Sequence, residues 1–416
     1  MLHSCSPVLK HSHVLLILAL LAIVAYLPTL RQPLLEDDYP LIVQAHALGF
    51  GIVADPNFGM RSTSLLLMDG IYRLFGVTAP AFYAATILVH ILNTWLVYAL
   101  GYWRKLGYAT TAWAAGFFAV FEAHQEGIMW VSAVNETLLF LFGVGSFLCW
   151  LRFLNERRPA WYAASLIFLL LALYSKESAV ILLPMMALPL LFDAKPVRQW
   201  LWLAPFAALT AFALAQIRHA SAVSFRFNGA SFSFHAPFWL IWPNSFARLF
   251  WFWGALAVIA ILVWRPARYV TLLSIGLLWT GLSLIPYSFL TYSLRVPSRH
   301  TYLASAGVAL IVGYALATLA QKRSRFVLAT AATLILLFNV GYLWTKKRTQ
   351  YLERAAPSEQ LIALARTAKG PIFVQCFPRA PLIADAAVQL TTGRTDLIWD
   401  PAKSAGAAAK FCYVQK

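Results

Sequence analysis

The sequence predicts an all-α protein that crosses the membrane many times and ends in a small α/β domain. Hydrophobic residues make up 61% of the 416 residues, charged residues make up only 12%, and the mean hydropathy is +0.68. Apolar runs of about 20 residues, the length that an α-helix needs to cross the hydrocarbon core, recur up to residue 344. The residues after 344 have the more polar composition of a soluble domain.

About eleven transmembrane helices are expected from these apolar runs. They cover residues 13–30, 81–100, 108–122, 128–151, 160–174, 178–192, 199–217, 248–264, 269–288, 302–320 and 326–344. With the N-terminus inside, the inner loops hold more Lys and Arg than the longer outer loops, as the cytoplasmic side of a membrane protein does. The net charge of +17 is therefore a topological signal, and nucleic acid is not an expected partner. The basic cluster Lys346, Lys347 and Arg348 argues against this orientation.

Two domains follow from this division. Residues 1–344 form the multi-pass domain, in which residues 31–80 are the first outer loop, and residues 345–416 form a soluble tail predicted to lie outside. The tail is predicted to contain a helix at 358–368, a strand in PIFVQCF, a helix at 383–390 and a strand in KFCYV.

The two predicted tail strands each contain a cysteine, Cys376 and Cys412. A domain this small supplies little core by itself, so we expect a disulfide between them that stabilises the tail. The alternative is a pair of buried thiols in adjacent strands, which a cytoplasmic tail would favour.

The first outer loop opens on three adjacent carboxylates, Glu36, Asp37 and Asp38, in the stretch LLEDDYPLIVQ. A solvated loop end is the simple explanation for such residues. Three neighbouring acids, however, repel one another and raise each other's proton affinity, which suits a general base or a cation-binding group. Most of the other acids also fall on the predicted outer side, and we therefore expect this cluster to be functional, with Glu36 as its most exposed member.

Several cations on the same side are candidates for binding a phosphate group. Lys176, beside Glu177 in YSKES, lies between two short spans at membrane depth, where an ionisable group is costly unless it is paired or functional. Arg295 and Arg299 enter the tenth span, and Arg61 opens the amphipathic part of the first loop. The alternatives are a Lys176–Glu177 ion pair and arginines that only snorkel to the interface, but a guanidinium group suits a phosphodiester well.

The remaining motif search excludes several classes of chemistry. The sequence has no CxxC pair, no Cys/His zinc pattern, no glycine-rich phosphate loop and no GxSxG, which disfavours nucleotide hydrolysis and hydrolase activity. In FEAHQEGIMW, His124 and Glu126 are possible ligands of a divalent metal. Two ligands are too few to define a site, so no metal site is assigned.

Taken together, these residues resemble the GT-C superfamily of polyprenyl-phosphate-sugar-dependent glycosyltransferases. The similarity is greatest to the O-mannosyltransferase type, in particular the membrane half of the transmembrane and tetratricopeptide-repeat proteins. EDDYPLI resembles the acidic motif of that family's first loop, in which Asp37 and Asp38 match the acid pair. YSKESAVILLP matches a Ser-Lys-Glu element, and SRHTYLAS matches an Arg-x-x-Tyr-Leu element through Arg299 and Tyr302.

The sequence also departs from that family. In AHQEGIMWVSAVNETLL, Glu126 and Trp130 match the family pattern, but Asn135 and Glu136 replace an Arg-Asp pair. The tetratricopeptide repeats are absent, so nothing supports a protein acceptor held by such repeats.

The resemblance implies transfer of a sugar, in the manner of a mannosyltransferase, from a polyprenyl-phosphate carrier to an acceptor hydroxyl. It makes Asp37 the first choice for the catalytic base and Asp38 the second. The other expected substrate-binding and phosphate-binding residues are Lys176, Arg299, Arg295, Arg61, Glu126, Glu177, His124 and Tyr302. No cofactor is certain and a divalent cation is the only candidate, while the expected partners are the lipid-linked donor, the bilayer and an unidentified acceptor.

This reading places the protein in a bacterial inner membrane with its active site facing the periplasm. The alternatives are a transporter or flippase of a lipid-linked saccharide, and a polymerase or ligase of such saccharides. Transporters commonly contain internal repeats with helices broken in matched halves, and this sequence shows neither.

Overall fold

The computed structural model describes residues 11–223, 232–322 and 325–414, and most of these are α-helical. The first half of the chain contains ten helices within the described ranges. They are α1 (His11–Tyr26), α2 (Asp38–Leu48), α3 (Ser62–Phe75), α4 (Ala79–Ala99), α5 (Tyr108–Val120), α6 (Gln125–Met129), α7 (Val134–Glu156), α8 (Pro159–Leu173), α9 (Leu182–Phe192) and α10 (Ala204–Val223). The second half continues with α11 (Phe238–Phe250), α12 (Phe252–Trp264), α13 (Tyr269–Leu284), α14 (Tyr302–Gln321) and α15 (Arg325–Tyr342).

The structure has the helices of a multi-pass membrane protein. Within the described ranges, seven helical segments are long and apolar enough to cross a bilayer, and an eighth crossing results if α11 and α12, bent by 77°, form one span. Two shorter apolar helices, Pro159–Leu173 and Glu177–Phe192, add to these. Each of the eleven predicted spans contains a helix, but the count of eleven crossings stays a prediction.

Helix α14 lies at the centre of the bundle, and small residues allow its close packing. A Cβ atom on Gly307 would lie 2.3 Å from the carbonyl oxygen of Gly276 in α13. On another face, a Cβ atom on Gly313 would lie 2.4 Å from the backbone nitrogen of Ala114 in α5. Such close backbone approach is typical of helix packing in membranes, and the segment directly before α14 carries Arg299.

The tail combines helices with a three-stranded parallel sheet. Its elements are α16 (Arg348–Thr367), β1 (Ile372–Cys376), α17 (Pro381–Thr392), β2 (Leu397–Ile398) and β3 (Ala409–Cys412), and the strand order is β2-β1-β3. A disulfide joins Cys376 in β1 to Cys412 in β3.

The helix predicted to begin at residue 358 begins earlier, and this corrects the sequence analysis. Helix α16 starts at Arg348 and continues α15 through a π-helical segment, Leu343–Lys347, so that one helical segment runs from Arg325 to Thr367. Pro357 lies inside α16. The helix-forming residues around it, in RTQYLERAAPSEQL, outweigh the hydrogen bond that this proline cannot make.

The tail packs against the first loop of the membrane domain. Tyr39 and Ile42 of α2 share an apolar cluster with Ile362 of α16 and with Ala386 and Ala387 of α17. The tail therefore lies at the same end of the helix bundle as the first loop.

Candidate active site

The acidic triplet lies at the turn between a short 3₁₀ helix, Leu27–Arg31, and the start of α2. Glu36 has a φ of 37°, in the left-handed region that a residue with a side chain seldom adopts. Because of this turn, the three carboxylates point into different surroundings: Glu36 is half-buried, Asp37 is exposed and Asp38 is fully buried. A backbone conformation of this kind occurs preferentially at functional sites.

Asp38 is held by hydrogen bonds from both sides. Its Oδ2 atom accepts a bond of 2.8 Å from the backbone N–H of Leu35, and its Oδ1 atom accepts bonds from Ser132, of 2.7 Å from the backbone N–H and 2.5 Å from the hydroxyl. Burial raises the pKa of Asp38 to about 7, and the hydrogen bonds from Ser132 and Leu35 limit that rise. Asp38 thus fixes the acidic turn to the segment that precedes α7.

Glu36 binds two arginines of the tail. Its carboxylate accepts hydrogen bonds of 3.1 and 2.7 Å from Arg354, and an Nη2 atom of Arg379 lies 2.8 Å from Oε1. Partial burial alone would raise the pKa of Glu36, but the two guanidinium groups outweigh it and hold the pKa below its ordinary value. The expectation that Glu36 is the most exposed of the three acids is wrong, because these contacts were invisible in the local sequence.

Two guanidinium groups lie close to the ring of Trp130. The Cζ atom of Arg299 lies 5.2 Å from the centre of a Trp130 ring, and that of Arg354 lies 4.6 Å away, within the range of cation–π attraction. Trp130 is two residues before Ser132, the partner of Asp38. The acidic turn, the arginine of the loop before α14 and the arginine of the tail are therefore brought to one place.

Arg299 keeps much of its hydrogen-bonding capacity. Its backbone N–H donates to Glu126 at 3.0 Å, but its Nη1 and Nη2 atoms lie 3.5 Å from Glu126 and Tyr292, at the limit of a hydrogen bond. Partial burial would raise the pKa of Glu126, and the charge and backbone N–H of Arg299 lower it below the ordinary value. The guanidinium group of Arg299 is thus oriented by its neighbours and still able to donate to a ligand.

Arg61 and Lys176 are more fully engaged. Arg61 donates to both oxygen atoms of Glu177, at 2.9 and 3.2 Å. Lys176 is buried, and its Nζ atom lies 3.3 Å from Oε1 of Glu136. Lys176 and the adjacent Glu177 thus have different partners, and a phosphate at either cation would have to share it with a carboxylate.

Glu136 is the centre of a buried polar network that the sequence did not predict. Besides Lys176, it accepts a hydrogen bond of 2.5 Å from Tyr287 and lies 2.5 Å from Nδ1 of His300. The His300 ring stacks on Tyr287 with 4.6 Å between centroids. The network connects α7, the α8–α9 connection and the segment before α14. Glu136 stands at a position where the family that the sequence resembles has another residue type.

His124 and Tyr302 lie in the packed interior instead of facing the acidic turn. Both side chains have no exposed surface. The Tyr302 hydroxyl makes hydrogen bonds with His90 at 2.6 Å and Asn93 at 3.3 Å, and Nε2 of His124 lies 2.6 Å from the hydroxyl of Ser305. Their place is among the aromatic rings of Phe118, Phe121 and Phe140, and their assignment to substrate contact stays a prediction.

Arg295 is exposed on the loop before α14. Among the described residues it has no ion-pair partner. Within the same ranges, no group of three or more His, Cys, Asp or Glu side chains is placed to hold a metal ion.

A cavity of about 490 Å³ opens between the membrane domain and the tail. Glu126 lines it from the membrane domain, while Arg354 and Arg379 line it from the tail. Both arginines were missed in the sequence. One sequence signal for them was available: the basic residues that follow the last span argue against an inside N-terminus. Arg354 lies in the same helical segment as these residues, and its partner Glu36 lies on the predicted outer face.

Comparisons with known proteins agree with this architecture. A family model described as dolichyl-phosphate-mannose-protein mannosyltransferase matches residues 64–217. No curated protein matches the chain in sequence.

Solved structures of two kinds share the fold. One is the Archaeoglobus fulgidus oligosaccharyltransferase tethered with an acceptor peptide containing the NVT sequon, at 12% identity and a TM-score of 0.54, which covers 92% of this chain and 63% of that chain. Another is ArnT from Cupriavidus metallidurans bound to undecaprenyl phosphate, at 11% identity and a TM-score of 0.52, which covers 91% of this chain and 85% of that chain. A further archaeal structure is oligosaccharyltransferase AglB from A. fulgidus in complex with an inhibitory peptide and a dolichol-phosphate, at 12% identity and a TM-score of 0.51, with 94% and 64% covered.

The chain therefore has the fold of these membrane glycosyltransferases, and the match of the family model to part of the chain agrees with the GT-C resemblance drawn from its motifs. It spans less than two thirds of the length of the archaeal enzymes.

Proposed function

We propose that this protein transfers a sugar from a polyprenyl-phosphate carrier to an acceptor hydroxyl on the outer face of the membrane. The observation that carries the proposal is the acidic turn at one end of an apolar helix bundle, in which Asp37 is exposed and the neighbouring Glu36 binds the guanidinium groups of Arg354 and Arg379. A carboxylate next to phosphate-binding cations is what glycosyl transfer from a lipid phosphate requires.

In the proposed reaction, the carboxylate of Asp37 accepts the proton of the acceptor hydroxyl as that oxygen attacks the anomeric carbon. The bond between the anomeric carbon and the phosphate oxygen breaks, and the carrier leaves as polyprenyl phosphate. The guanidinium group of Arg299 stabilises the negative charge of the leaving phosphate. Arg61 and Lys176, which are held in place by Glu177 and Glu136, supply further positive charge for the phosphate. No step depends on a metal ion, and the possible use of a divalent cation stays a prediction.

The comparisons support the nature of the donor. The neighbouring structures include one bound to undecaprenyl phosphate and one in complex with a dolichol-phosphate. The matching family model describes a mannosyltransferase, so we propose a mannose-like hexose as the sugar. The acceptor is a hydroxyl of a glycan, lipid or protein.

The tail supports the proposed orientation. It carries a disulfide between Cys376 and Cys412 and packs on the first loop, so both lie on one side of the bundle. Disulfides persist in oxidising compartments such as the periplasm. We therefore place the site on the periplasmic side of a bacterial inner membrane.

The function is tested with the purified full-length protein in detergent and a defined polyprenyl-phosphate-linked hexose. We expect release of polyprenyl phosphate together with a new glycoside in a mixture of candidate acceptors. In a deletion strain, the sugar-charged carrier should accumulate, as mass spectrometry of lipid extracts would show. Accumulation of the carrier on the inner leaflet alone, with no transfer by the purified protein, would instead favour the flippase alternative.

Arg299→Lys is expected to weaken donor binding by roughly 10–100-fold, because a charged group loses one of two hydrogen bonds worth about 1.5–3 kcal/mol. Lysine keeps the positive charge but lacks the planar pair of donors of a guanidinium group. In Arg299 these donors lie 3.5 Å from Glu126 and Tyr292, so they are available to a phosphate. The measurement is the donor concentration at half-maximal rate. Arg295→Lys, an exposed substitution in the same loop, is the matched control. Unchanged donor affinity in Arg299→Lys would mean that Arg299 only snorkels to the interface.

Turnover is expected to rise with pH to a plateau, with a midpoint near 7, as Asp38 ionises. Only the ionised carboxylate accepts all three hydrogen bonds that hold the acidic turn. Ser132→Ala removes one donor to the charged form, so it should move the midpoint to higher pH.

The same pKa predicts the opposite trend in stability. Because folding raises the pKa of Asp38 from its unfolded value of about 3.9, the folded protein binds more protons between pH about 4 and about 7, and its stability falls as pH rises through that window. For the pH dependence of turnover, a midpoint near 4, or a midpoint that Ser132→Ala leaves unchanged, would rule out Asp38 as the group whose ionisation controls the rate.

A further inference from the structure

A second cavity lies at the opposite end of the helix bundle, outside everything that the proposed transfer uses. It is a cleft of about 610 Å³. Four cations line it: Arg104 and Lys105 from the α4–α5 connection, Lys195 after α9, and Arg268 before α13. We call this the basic cleft.

The length of α7 separates the basic cleft from the candidate active site. Ser132, just before α7, holds Asp38, whereas Asn155 near the other end of α7 lines the basic cleft. An α-helix of 23 residues is about 34 Å long, close to the thickness of about 30 Å of a hydrocarbon core. The basic cleft therefore lies at the other membrane surface.

The charges of the basic cleft are not balanced within the described residues. Asp193 is the one carboxylate in its lining, and it accepts hydrogen bonds of 3.2 and 3.1 Å from the indole N–H of Trp103. None of the four cations has an ion-pair partner among the described carboxylates. Like charges that converge in one concave site repel each other unless an anion joins them.

Lys195 and Arg268 lie at tight turns of the backbone. Ala194, directly before Lys195, has a φ of 47°, and Arg268 has a φ of 66°. Left-handed backbone is uncommon at residues with side chains, but Arg265, which does not line the basic cleft, adopts it as well with a φ of 44°, so the conformation alone does not mark the cleft. The scattered loop cations that set membrane topology do not need to share one cleft.

We propose that the basic cleft binds a phosphate ester. Arg104 and Arg268 supply planar pairs of donors, and Lys105 and Lys195 supply compact charges, a combination that suits phosphate oxygens. Its place at the membrane surface, beside Tyr102 and Trp103, fits the phosphate of an anionic lipid headgroup. A soluble phosphate ester shares that chemistry and is the other source.

The test uses the full-length protein in a neutral detergent, with native mass spectrometry to count bound lipids. Phosphatidylglycerol is the anionic probe, phosphatidylcholine is the zwitterionic comparison, and glycerol 3-phosphate is the soluble ester. The variant Lys195→Gln/Arg268→Gln removes two cations of the basic cleft. The control Arg198→Gln/Arg265→Gln removes two exposed cations of the same face that do not line it, with the same change in net charge.

We expect the cleft variant to bind phosphatidylglycerol at least tenfold more weakly, and the control variant and Lys195→Arg to bind it as the wild type does. The same pattern with glycerol 3-phosphate, and none with phosphatidylglycerol, would support the phosphate site and assign a soluble ligand. Equal losses in the two double variants, or no preference for either anionic probe over phosphatidylcholine, would overturn the proposal. Thermal unfolding of each variant in detergent shows whether it is folded.

Discussion

Asp37→Asn is expected to lower the rate of sugar transfer by about 10²–10⁴-fold, the usual cost of losing a general base. Asparagine keeps the size of the exposed side chain but cannot accept the proton of the acceptor hydroxyl. Donor binding should be unchanged, because the phosphate-binding cations are untouched. The measurement is transfer by the purified protein at saturating donor, with donor binding assayed in parallel.

Asp55→Asn is the matched control for this prediction. Asp55 lies in the same loop, and its Oδ1 atom accepts hydrogen bonds from the backbone N–H groups of Asn57 and Phe58. An asparagine keeps that acceptor, so activity should stay at the wild-type level. If Asp37→Asn and Asp38→Asn both turn over as the wild type does, the base lies outside this loop, and Glu126 is the next candidate.

Glu36→Gln is expected to lower turnover about tenfold by releasing the tail from the acidic turn. The change leaves the charges of Arg354 and Arg379 without their shared partner, which costs about 3–5 kcal/mol in a buried pair. The side chains here are 12% exposed for Glu36 and 25% and 43% exposed for the arginines, and solvent screening lowers the expected cost to about 1–2 kcal/mol.

A double-mutant cycle separates this linkage from general destabilisation. If Arg379 acts only through Glu36, the variant Glu36→Gln/Arg379→Gln should lose no more activity than Glu36→Gln alone. Hydrogen exchange should increase in α2 and α17 in all three proteins. Arg348 is an exposed arginine of α16, the helix that carries Arg354. The variant Arg348→Gln should change neither the activity nor the hydrogen exchange. Additive losses would show that the two residues act independently and that the tail has no part in positioning the acidic turn.

Local patterns were sufficient to predict the class of fold. Apolar runs are long and uninterrupted, so they predict a helix in each of the eleven places where one occurs. The tail strands at Cys376 and Cys412 were found by their alternation and β-branched or aromatic residues. The start of α16 was missed because a proline such as Pro357 is read as a boundary, although surrounding packing and propensity decide whether it is one.

Residues of the site could be predicted only where the local sequence around them is unusual. The acids 36–38 and Arg299 stand out because charges are rare next to apolar spans. Arg354 lies 318 residues from Glu36, so nothing in either stretch indicates their contact. The exposure of the three acids was also misjudged, since a left-handed φ at Glu36 turns that side chain toward the tail and leaves Asp37 exposed.

The helical segment from Arg325 to Thr367 runs from the last apolar span to the acidic turn, and it therefore connects the bilayer to the site. At a rise of about 1.5 Å per residue, Arg354 lies roughly 44 Å from the start of this segment. A helix in a thinner bilayer tilts more, and a change of about 10° about the bilayer midplane would displace Arg354 by roughly 5 Å. That displacement exceeds the 2.7 Å contact between Arg354 and Glu36. We therefore expect the lipid environment to act on the acidic turn through this helical segment, so that the thickness of the host membrane changes how much of the protein has its site assembled.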